Sequence, residues 1–372
     1  MTSRHIVIIK QRYTTTGGAE RFVERALRSL SGQEIKLSLV ARQWQAKEGY
    51  TFIPCNPFYM GRTWRDWSFH RGVCKELTHL HADLVQSHER TACCDIYRAG
   101  DGVHKVWLEQ RNRILGYWEK RVAQLNLYHR YTLLAERRLF QSARLKAVIC
   151  NSEMVKQEII KNFGTHPDKL QVIYSGIDTQ RYNSALREQH SENVRQQLGI
   201  PTDACVFLFV GSGYQRKGLA ITLEAFSSLP DNSHLVVVGK DKQLRRYQSI
   251  ATQRIHYVGA VDDAKPYYGC ADAFVLPTLY DPFANAILEA MACGLPVITS
   301  NKCGAVDIIE SGKNGFICDA LDTPSIVQAM QSLLDPATRQ RIGQAGQERV
   351  QAFTLEAMSQ QLLNLYQQLL TS

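Results

Sequence analysis

Several features that would place this 372-residue chain quickly are missing. No apolar run approaches the roughly 20 residues of a membrane-spanning helix. The first residues, Met1-Thr-Ser-Arg-His-Ile-Val-Ile-Ile9, enter a strand pattern where a signal peptide would carry a basic region and an apolar core. The expectation is a protein that stays in the cytosol. None of the ten cysteines is spaced Cys-x-x-Cys. Cys150, Cys205, Cys270, Cys293 and Cys318 fall in strand or helix patterns, and Cys93-Cys94 has no partner motif. Small buried thiols in a reducing compartment are therefore expected, with no structural zinc and no redox function. There is no internal repeat at solenoid periods and no low-complexity segment.

Acidic residues are outnumbered, 35 against 44 basic, and the excess of +9 is unevenly placed. Between Lys105 and Lys146 stand ten basic residues and three acidic ones, and the remaining chain is close to neutral. The same segment holds Trp107, Tyr117, Trp118, Val122, Leu125, Tyr128, Tyr131 and Phe140, many at helical spacing. A basic, aromatic, amphipathic stretch suits an anionic membrane surface. An aromatic stripe packed on its own domain, with solvated arginines outside, explains the same pattern. The membrane reading is preferred because tryptophan and tyrosine are costly to expose without a use.

An apolar content of 44% and a charged content of 21% are ordinary for a soluble protein, and the length implies two domains. Strand and helix patterns alternate through the first half (Ile6–Ile9, a helix over Ala19–Leu30, Lys36–Val40, Leu84–Gln86, Lys146–Cys150). They start again after Ser175-Gly176-Ile177-Asp178 (Val206–Val210, a helix over Ala220–Ser228, His234–Val238, Ala273–Leu276, Val297–Thr299). Two βαβ series predict an α/β protein of two doubly wound, Rossmann-like domains facing each other across a cleft. The expected divisions are residues 1–174, 175–352 and a terminal amphipathic helix over 353–372.

Residue types that carry chemistry cluster after these strands. Asp281 and Glu289 lie eight residues apart on what reads as one helix, ended by Gly294 and Pro296. That spacing puts them roughly 12 Å apart along the axis and roughly 80° apart around it, so both can face one elongated ligand. Asp281 before Pro282 also reads as an ordinary helix cap. Gly211-Ser-Gly-Tyr-Gln-Arg216-Lys217-Gly218 follows a strand and begins like a dinucleotide fingerprint. Its third glycine position is Arg216, so the following helix is expected to pack less closely. Adjacent cations at the positive end of a helix are unfavourable unless an anion joins them, which points Arg216 and Lys217 at a diphosphate. Gly17-Gly18, in the first strand-to-helix turn, permit close backbone approach to a ligand or simply a tight turn. His88 and Asp101 each follow a strand-like run in the first domain and are candidates to orient an acceptor hydroxyl or act as a base. A lone histidine or aspartate after a strand is more often a turn or capping residue, and only a position in the cleft raises these two.

Taken together, Gly-Gly-Ala-Glu (17–20), Val-Ile-Cys-Asn-Ser (148–152), Ile-Tyr-Ser-Gly-Ile-Asp (173–178), Val-Gly-Ser-Gly-Tyr-Gln-Arg-Lys-Gly (210–218) and the carboxylate pair before Ala-Met-Ala-Cys-Gly-Leu-Pro resemble glycosyltransferase family 4. Arg-Ala-Gly-Asp-Gly-Val-His (98–104), followed by the basic aromatic stretch, is similar within that family to the lipopolysaccharide-core heptose glucosyltransferases. The resemblance implies a GT-B fold whose last helix crosses back onto the first domain. It also implies a retaining, metal-independent transfer from a nucleotide-sugar, with no cofactor. It assigns Arg216 and Lys217 to the diphosphate, Glu289 to the ribose, Asp281 to the donor sugar and Gly17-Gly18 to the donor site. Phe283, Ala284 and Asn285 line the donor at the start of the carboxylate helix, and Asp101 or His88 lies near the acceptor. Asp281 is one methylene shorter than the family's usual glutamate, which leaves room for a different sugar substituent.

On this reading the chain is a retaining hexosyltransferase working on the inner face of the cytoplasmic membrane. Its partners are a UDP-sugar carrying glucose or N-acetylglucosamine, a lipid-linked oligosaccharide acceptor and, through residues 105–146, an anionic membrane; no nucleic acid is expected. A glycosyltransferase of another cell-surface glycan is the nearest alternative. A sugar phosphorylase, a nicotinamide oxidoreductase and a non-catalytic membrane- or nucleic-acid-binding protein are the others.

Overall fold

Thirteen strands in two parallel sheets organise the computed structural model, which describes residues 4–12, 35–43, 50–249 and 252–371. The chain divides into two compact units, Met1–Ser175 with Leu355–Ser372, and Gly176–Thr354. In the first, β1 (Arg4–Ile9), β2 (Ile35–Ala41), β3 (Thr51–Pro54), β4 (Leu84–Ser87), β5 (Ile96–Arg98), β6 (Ala147–Cys150) and β7 (Leu170–Val172) lie in the order β3-β2-β1-β4-β5-β6-β7. In the second, β8 (Cys205–Val210), β9 (Ser233–Val238), β10 (Ile255–Gly259), β11 (Ala273–Leu276), β12 (Val297–Ser300) and β13 (Phe316–Cys318) lie in the order β10-β9-β8-β11-β12-β13. Each sheet is built outward from its first strand and then reverses, between β1 and β4 and between β8 and β11. At such a switch the loops at the strands' carboxyl ends diverge and leave a crevice.

Helices cover parallel strands on both faces, so the strands are mainly apolar and do not alternate strictly with polar residues. Every residue of β6, β9, β11 and β12 is buried. The helix Leu355–Thr371 completes the first unit: Met358, Leu362, Leu365 and Tyr366 pack with Ile6, Ile8, Leu39, Ile96 and Ile149 in one core.

Two expectations need correction. Cys74, near the end of the helix Gly61–Glu76, and Cys93, after β4, are joined by a disulfide with their Cα atoms 5.8 Å apart. The pairing spans 19 residues and depends on tertiary packing, so spacing gave no sign of it. The other eight cysteines are free, as expected, and seven are buried. The basic segment is also not one surface. It forms three helices, His104–Asn112, Tyr117–Leu125 and Leu127–Phe140. The last docks through Thr132, Ala135, Glu136 and Leu139, and Phe140 stacks on Phe163 at 4.3 Å, so this part packs on its own domain. The middle helix has no buried residue and exposes Tyr117, Trp118, Val122 and Leu125. No helix among the described residues is long and apolar enough to cross a membrane.

Candidate active site

Chemistry in the second unit gathers at the β8/β11 switch. After β8 the chain turns through Gly213, at φ +78°, into the single helical turn Tyr214–Lys217. Gly218, at φ +82°, then faces the carbonyl of Pro277, where an added Cβ would stand 2.0 Å from the oxygen. The close approach expected to be lost with the third fingerprint glycine is thus supplied two residues later. The Arg216 carbonyl accepts hydrogen bonds from the Leu279 amide (2.8 Å) and the Thr278 hydroxyl (2.9 Å). The loops after β8 and β11 are thereby locked together.

Arg216 and Lys217 converge on one carboxylate. The Arg216 guanidinium lies 2.8 Å and the Lys217 ammonium 2.6 Å from the same Asp281 oxygen, and Asp281 is buried. Burial alone would raise the Asp281 pKa, but the Lys217 and Arg216 charges outweigh it and hold the group below its ordinary value. The anion that two adjacent cations require is present within the chain, and it leaves one positive charge in excess. Asp281 does not lie on the helix with Glu289. Its amide donates to Lys302, its carbonyl accepts from Gly304, and Ala284 is still extended, so the helix begins only at Asn285. The axial geometry computed for two carboxylates on one helix therefore does not apply, and Asp281 is not the helix cap. No side chain caps this helix; Phe283 and Ala284 are buried before it and Asn285 is exposed. Glu289 sits within the helix and accepts a 2.8 Å hydrogen bond from the hydroxyl of Tyr268, whose pKa burial and then Glu289 push well up, so Tyr268 remains a donor.

In the first unit His88 follows β4. The Tyr366 hydroxyl donates to the Gln86 side-chain oxygen (2.6 Å), which turns the Gln86 amide nitrogen toward His88 Nε2 at 2.9 Å. An amide nitrogen only donates, so Nε2 must accept and the proton resides on Nδ1. Burial, then Arg98 and Lys10, lower the His88 pKa well below its ordinary value, which agrees. His88 is therefore a neutral donor through Nδ1, and its Nε2 is not available as a base. Asp101 is exposed and lies 3.3 Å from Arg90. Arg90 in turn binds the buried Glu136 carboxylate at 2.9 Å, and both Glu136 oxygens accept from the His104 amide. Gly17 and Gly18, with the Ala19–Leu30 helix, lie outside the described residues.

Glu89, Gln86, Tyr268 and Glu136 escaped the sequence reading, since none carries a motif and each matters through a tertiary contact. Glu89 accepts from the Gln11 amide at 2.9 Å, yet burial pushes its pKa from 4.5 up to about 7. The folded state thus keeps its proton longer than the unfolded chain. Stability from this group is whole below about pH 4.5 and is lost as pH rises through about 7. Glu89→Gln should abolish that loss, which amounts to no more than about 3 kcal/mol. Parallel melting-temperature profiles for the two proteins between about pH 4.5 and 8 would contradict it.

Two doubly wound parallel sheets, one with paired cations at its switch, define an α/β architecture that the comparisons with known proteins assign to a family. Residues 204–336 match the model described as "Glycosyl transferases group 1", and residues 16–181 match "Glycosyltransferase Family 4". The chain belongs to the group 1/family 4 glycosyltransferases. It is 24% identical over 317 residues to the lipopolysaccharide glucosyltransferase WaaG of Escherichia coli, covering 82% of this chain and 83% of that one. It is 24% identical to the lipopolysaccharide core biosynthesis glycosyltransferase LpsE of Rhizobium meliloti, covering 94% and 95%. A match at 29% identity to an uncharacterised glycosyltransferase of Methanocaldococcus jannaschii spans only 59% of each chain. The crystal structure of WaaG superposes with a TM-score of 0.83 at 21% identity, covering 97% of this chain and 99% of that chain. Anabaena HepE in complex with UDP-glucose superposes with 0.74 at 17%, covering 98% and 99%. The fold is that of the GT-B glycosyltransferases.

Proposed function

We propose that this glycosyltransferase moves glucose or N-acetylglucosamine from a UDP-sugar to a heptose hydroxyl of a lipid-linked lipopolysaccharide core, with retention and without a metal or cofactor. The observation that carries the donor side is the Arg216–Lys217–Asp281 cluster at the β8/β11 switch, whose excess positive charge is held in place before any ligand arrives. The donor diphosphate joins Arg216 and Lys217 beside the uncapped start of the Asn285–Ala292 helix, near Phe283 and Ala284. Glu289, oriented by Tyr268, accepts from the ribose diol. As the glycosidic bond breaks, charge grows on the β-phosphate, and the fixed cations stabilise that state more than the bound ground state. With retention, the acceptor hydroxyl attacks from the leaving-group side and passes its proton to the departing phosphate oxygen, so no strong protein base is required. His88 and Asp101 orient the acceptor. Support for the donor and acceptor classes comes from the relatives described as lipopolysaccharide glycosyltransferases and from the neighbour bound to UDP-glucose. A panel of UDP-, GDP- and ADP-sugars, each tested for binding and hydrolysis with EDTA present, checks it. Binding of a UDP-sugar alone is expected, and preference for another base would remove the UDP assignment.

The same reading places the enzyme peripherally on the inner face of the cytoplasmic membrane. The exposed face of Tyr117–Leu125 is not alone: Phe58 and Met60 are about three-quarters exposed and Trp64 is exposed too, a patch outside the basic segment. The Arg62 guanidinium, 4.6 Å over the Tyr128 ring, links the two regions. Trp118→Ser with Leu125→Ser should weaken flotation with vesicles containing anionic lipid by about tenfold while leaving UDP-sugar binding intact. Unchanged flotation would remove these residues from the membrane contact.

A further inference from the structure

A second place that brings cations together lies in the first unit, and here two of the three have no carboxylate within ion-pair distance among the described residues. A cavity of about 220 Å³ opens between the helix Gly61–Glu76, the loop after β4 and the helix Leu127–Phe140. Its wall carries Arg71, Arg90 and Arg138 with the rings of Trp67 and Tyr131. Arg90 is neutralised by Glu136 and reached by Asp101. Arg71 and Arg138 have no carboxylate within ion-pair distance among the described residues, and Asp66, beside Trp67, is taken by Arg65 at 2.8 Å. His70 on the same wall adds no negative charge: burial, then Arg138 and Arg71, lower its pKa, so the imidazole is neutral at pH 7. The Cys74–Cys93 disulfide fastens the helix that carries Trp67, His70 and Arg71 to the loop that carries Arg90 and Ala92, which fixes the distance between two walls of the cavity.

In the second unit the same problem, two neighbouring cations, is solved internally by Asp281. In this cavity no such carboxylate reaches Arg71 or Arg138 among the described residues, so their charge is available to an anion. The Arg71 guanidinium lies 5.2 Å over the Trp67 ring, so the cation is held while the rest of the aromatic surface stays exposed. Planar guanidinium groups match phosphate oxygens in paired hydrogen bonds, and aromatic faces take the C–H faces of a pyranose.

We infer that this cavity binds a phosphate-bearing monosaccharide unit, the phosphate on Arg71 and Arg138 and the sugar ring between Trp67 and Tyr131. The cavity volume suits one such unit and not an extended chain. The inference deepens the acceptor side of the proposed function and rests on that reading for its role: the acceptor glycan would be recognised by a phosphorylated residue as well as by the hydroxyl that is glycosylated.

Calorimetric titration of the purified full chain with glucose 6-phosphate, glucose and inorganic phosphate tests it. Glucose 6-phosphate should bind at least about tenfold more tightly than either fragment, because each fragment engages only half of the site. The double variant Arg71→Gln/Arg138→Gln should lose about tenfold or more of that affinity. Arg71→Lys/Arg138→Lys, which keeps the charge, should retain part of it. Both arginines are exposed, so neither variant threatens the core. Equal affinity of wild type and the glutamine variant overturns the proposal, as does binding of inorganic phosphate as tight as that of the sugar phosphate. Displacement of bound glucose 6-phosphate by phosphatidic acid vesicles would assign the site to a lipid headgroup and overturn the saccharide class. UDP-glucose is titrated in parallel. Its failure to bind, with glucose 6-phosphate still bound, counts against the proposed transfer and not against this site.

Discussion

Lys217→Ala should reduce turnover by about two to three orders of magnitude while the protein stays folded. The Lys217 ammonium is fixed 2.6 Å from Asp281; on the proposed reading it meets the charge developing on the β-phosphate, so its removal takes away stabilisation that matters most in the transition state. Asp281 keeps Arg216 at 2.8 Å, and the buried carboxylate is therefore not left unpaired. Asp101→Ala should cost much less, roughly tenfold at most, because a retaining transfer can route the acceptor proton to the departing phosphate. Asp101 is moreover an exposed side chain whose pairing with Arg90 is long, at 3.3 Å. Steady-state release of UDP from both variants, with donor binding measured alongside, separates the two roles. An inactive Asp101→Ala enzyme that binds donor normally would move the chemistry to the first unit.

Glu136→Ala carries the largest expected effect on stability, about 3–5 kcal/mol against unfolding of the first unit. The Glu136 carboxylate is 1% exposed and serves two partners, the Arg90 guanidinium and the His104 amide. Alanine would leave Arg90 without its principal counter-charge and the amide without an acceptor. Burial raises the Glu136 pKa even though Arg90 and the His104 amide pull it down. Glu136→Gln keeps one acceptor oxygen and should lose clearly less. Equal denaturation midpoints for wild type and Glu136→Ala would mean that Arg90 finds another partner at no cost.

How far the chain could be read beforehand follows from how each part is held. β1, β4, β6, β8, β9, β11 and β12 were legible because strands covered on both faces carry short runs of apolar residues, even where polar residues such as Gln86, Ser87, Thr299 and Ser300 end the run. β3, with its exposed Thr51-Phe-Ile-Pro54, and the three-residue β5 and β13 were not: an edge strand needs no apolar run, and three residues show no period. Arg216, Lys217, Asp281 and Glu289 were each legible as chemical types in a loop-to-helix setting. Their arrangement was not, because Asp281 meets Lys217 across 64 residues and is pulled off the helix by its bridge to Cys303. The Tyr366–Gln86–His88 chain joins residues 280 apart in sequence and depends on where the last helix docks. The same holds for the disulfide and for the cationic cavity beside it, both built from helices whose packing no local pattern fixes.

The central claim is a metal-free transfer of a hexose from UDP, and the most direct measurement is transfer itself. Purified protein would be incubated with UDP-glucose or UDP-N-acetylglucosamine, a truncated lipopolysaccharide ending in heptose and excess EDTA, and the product followed by mass spectrometry. The account predicts one added hexose from one of the two donors, stoichiometric release of UDP, retained anomeric configuration, and loss of product with Lys217→Ala. No added sugar with either donor, or activity that appears only when a divalent metal is restored, would contradict it.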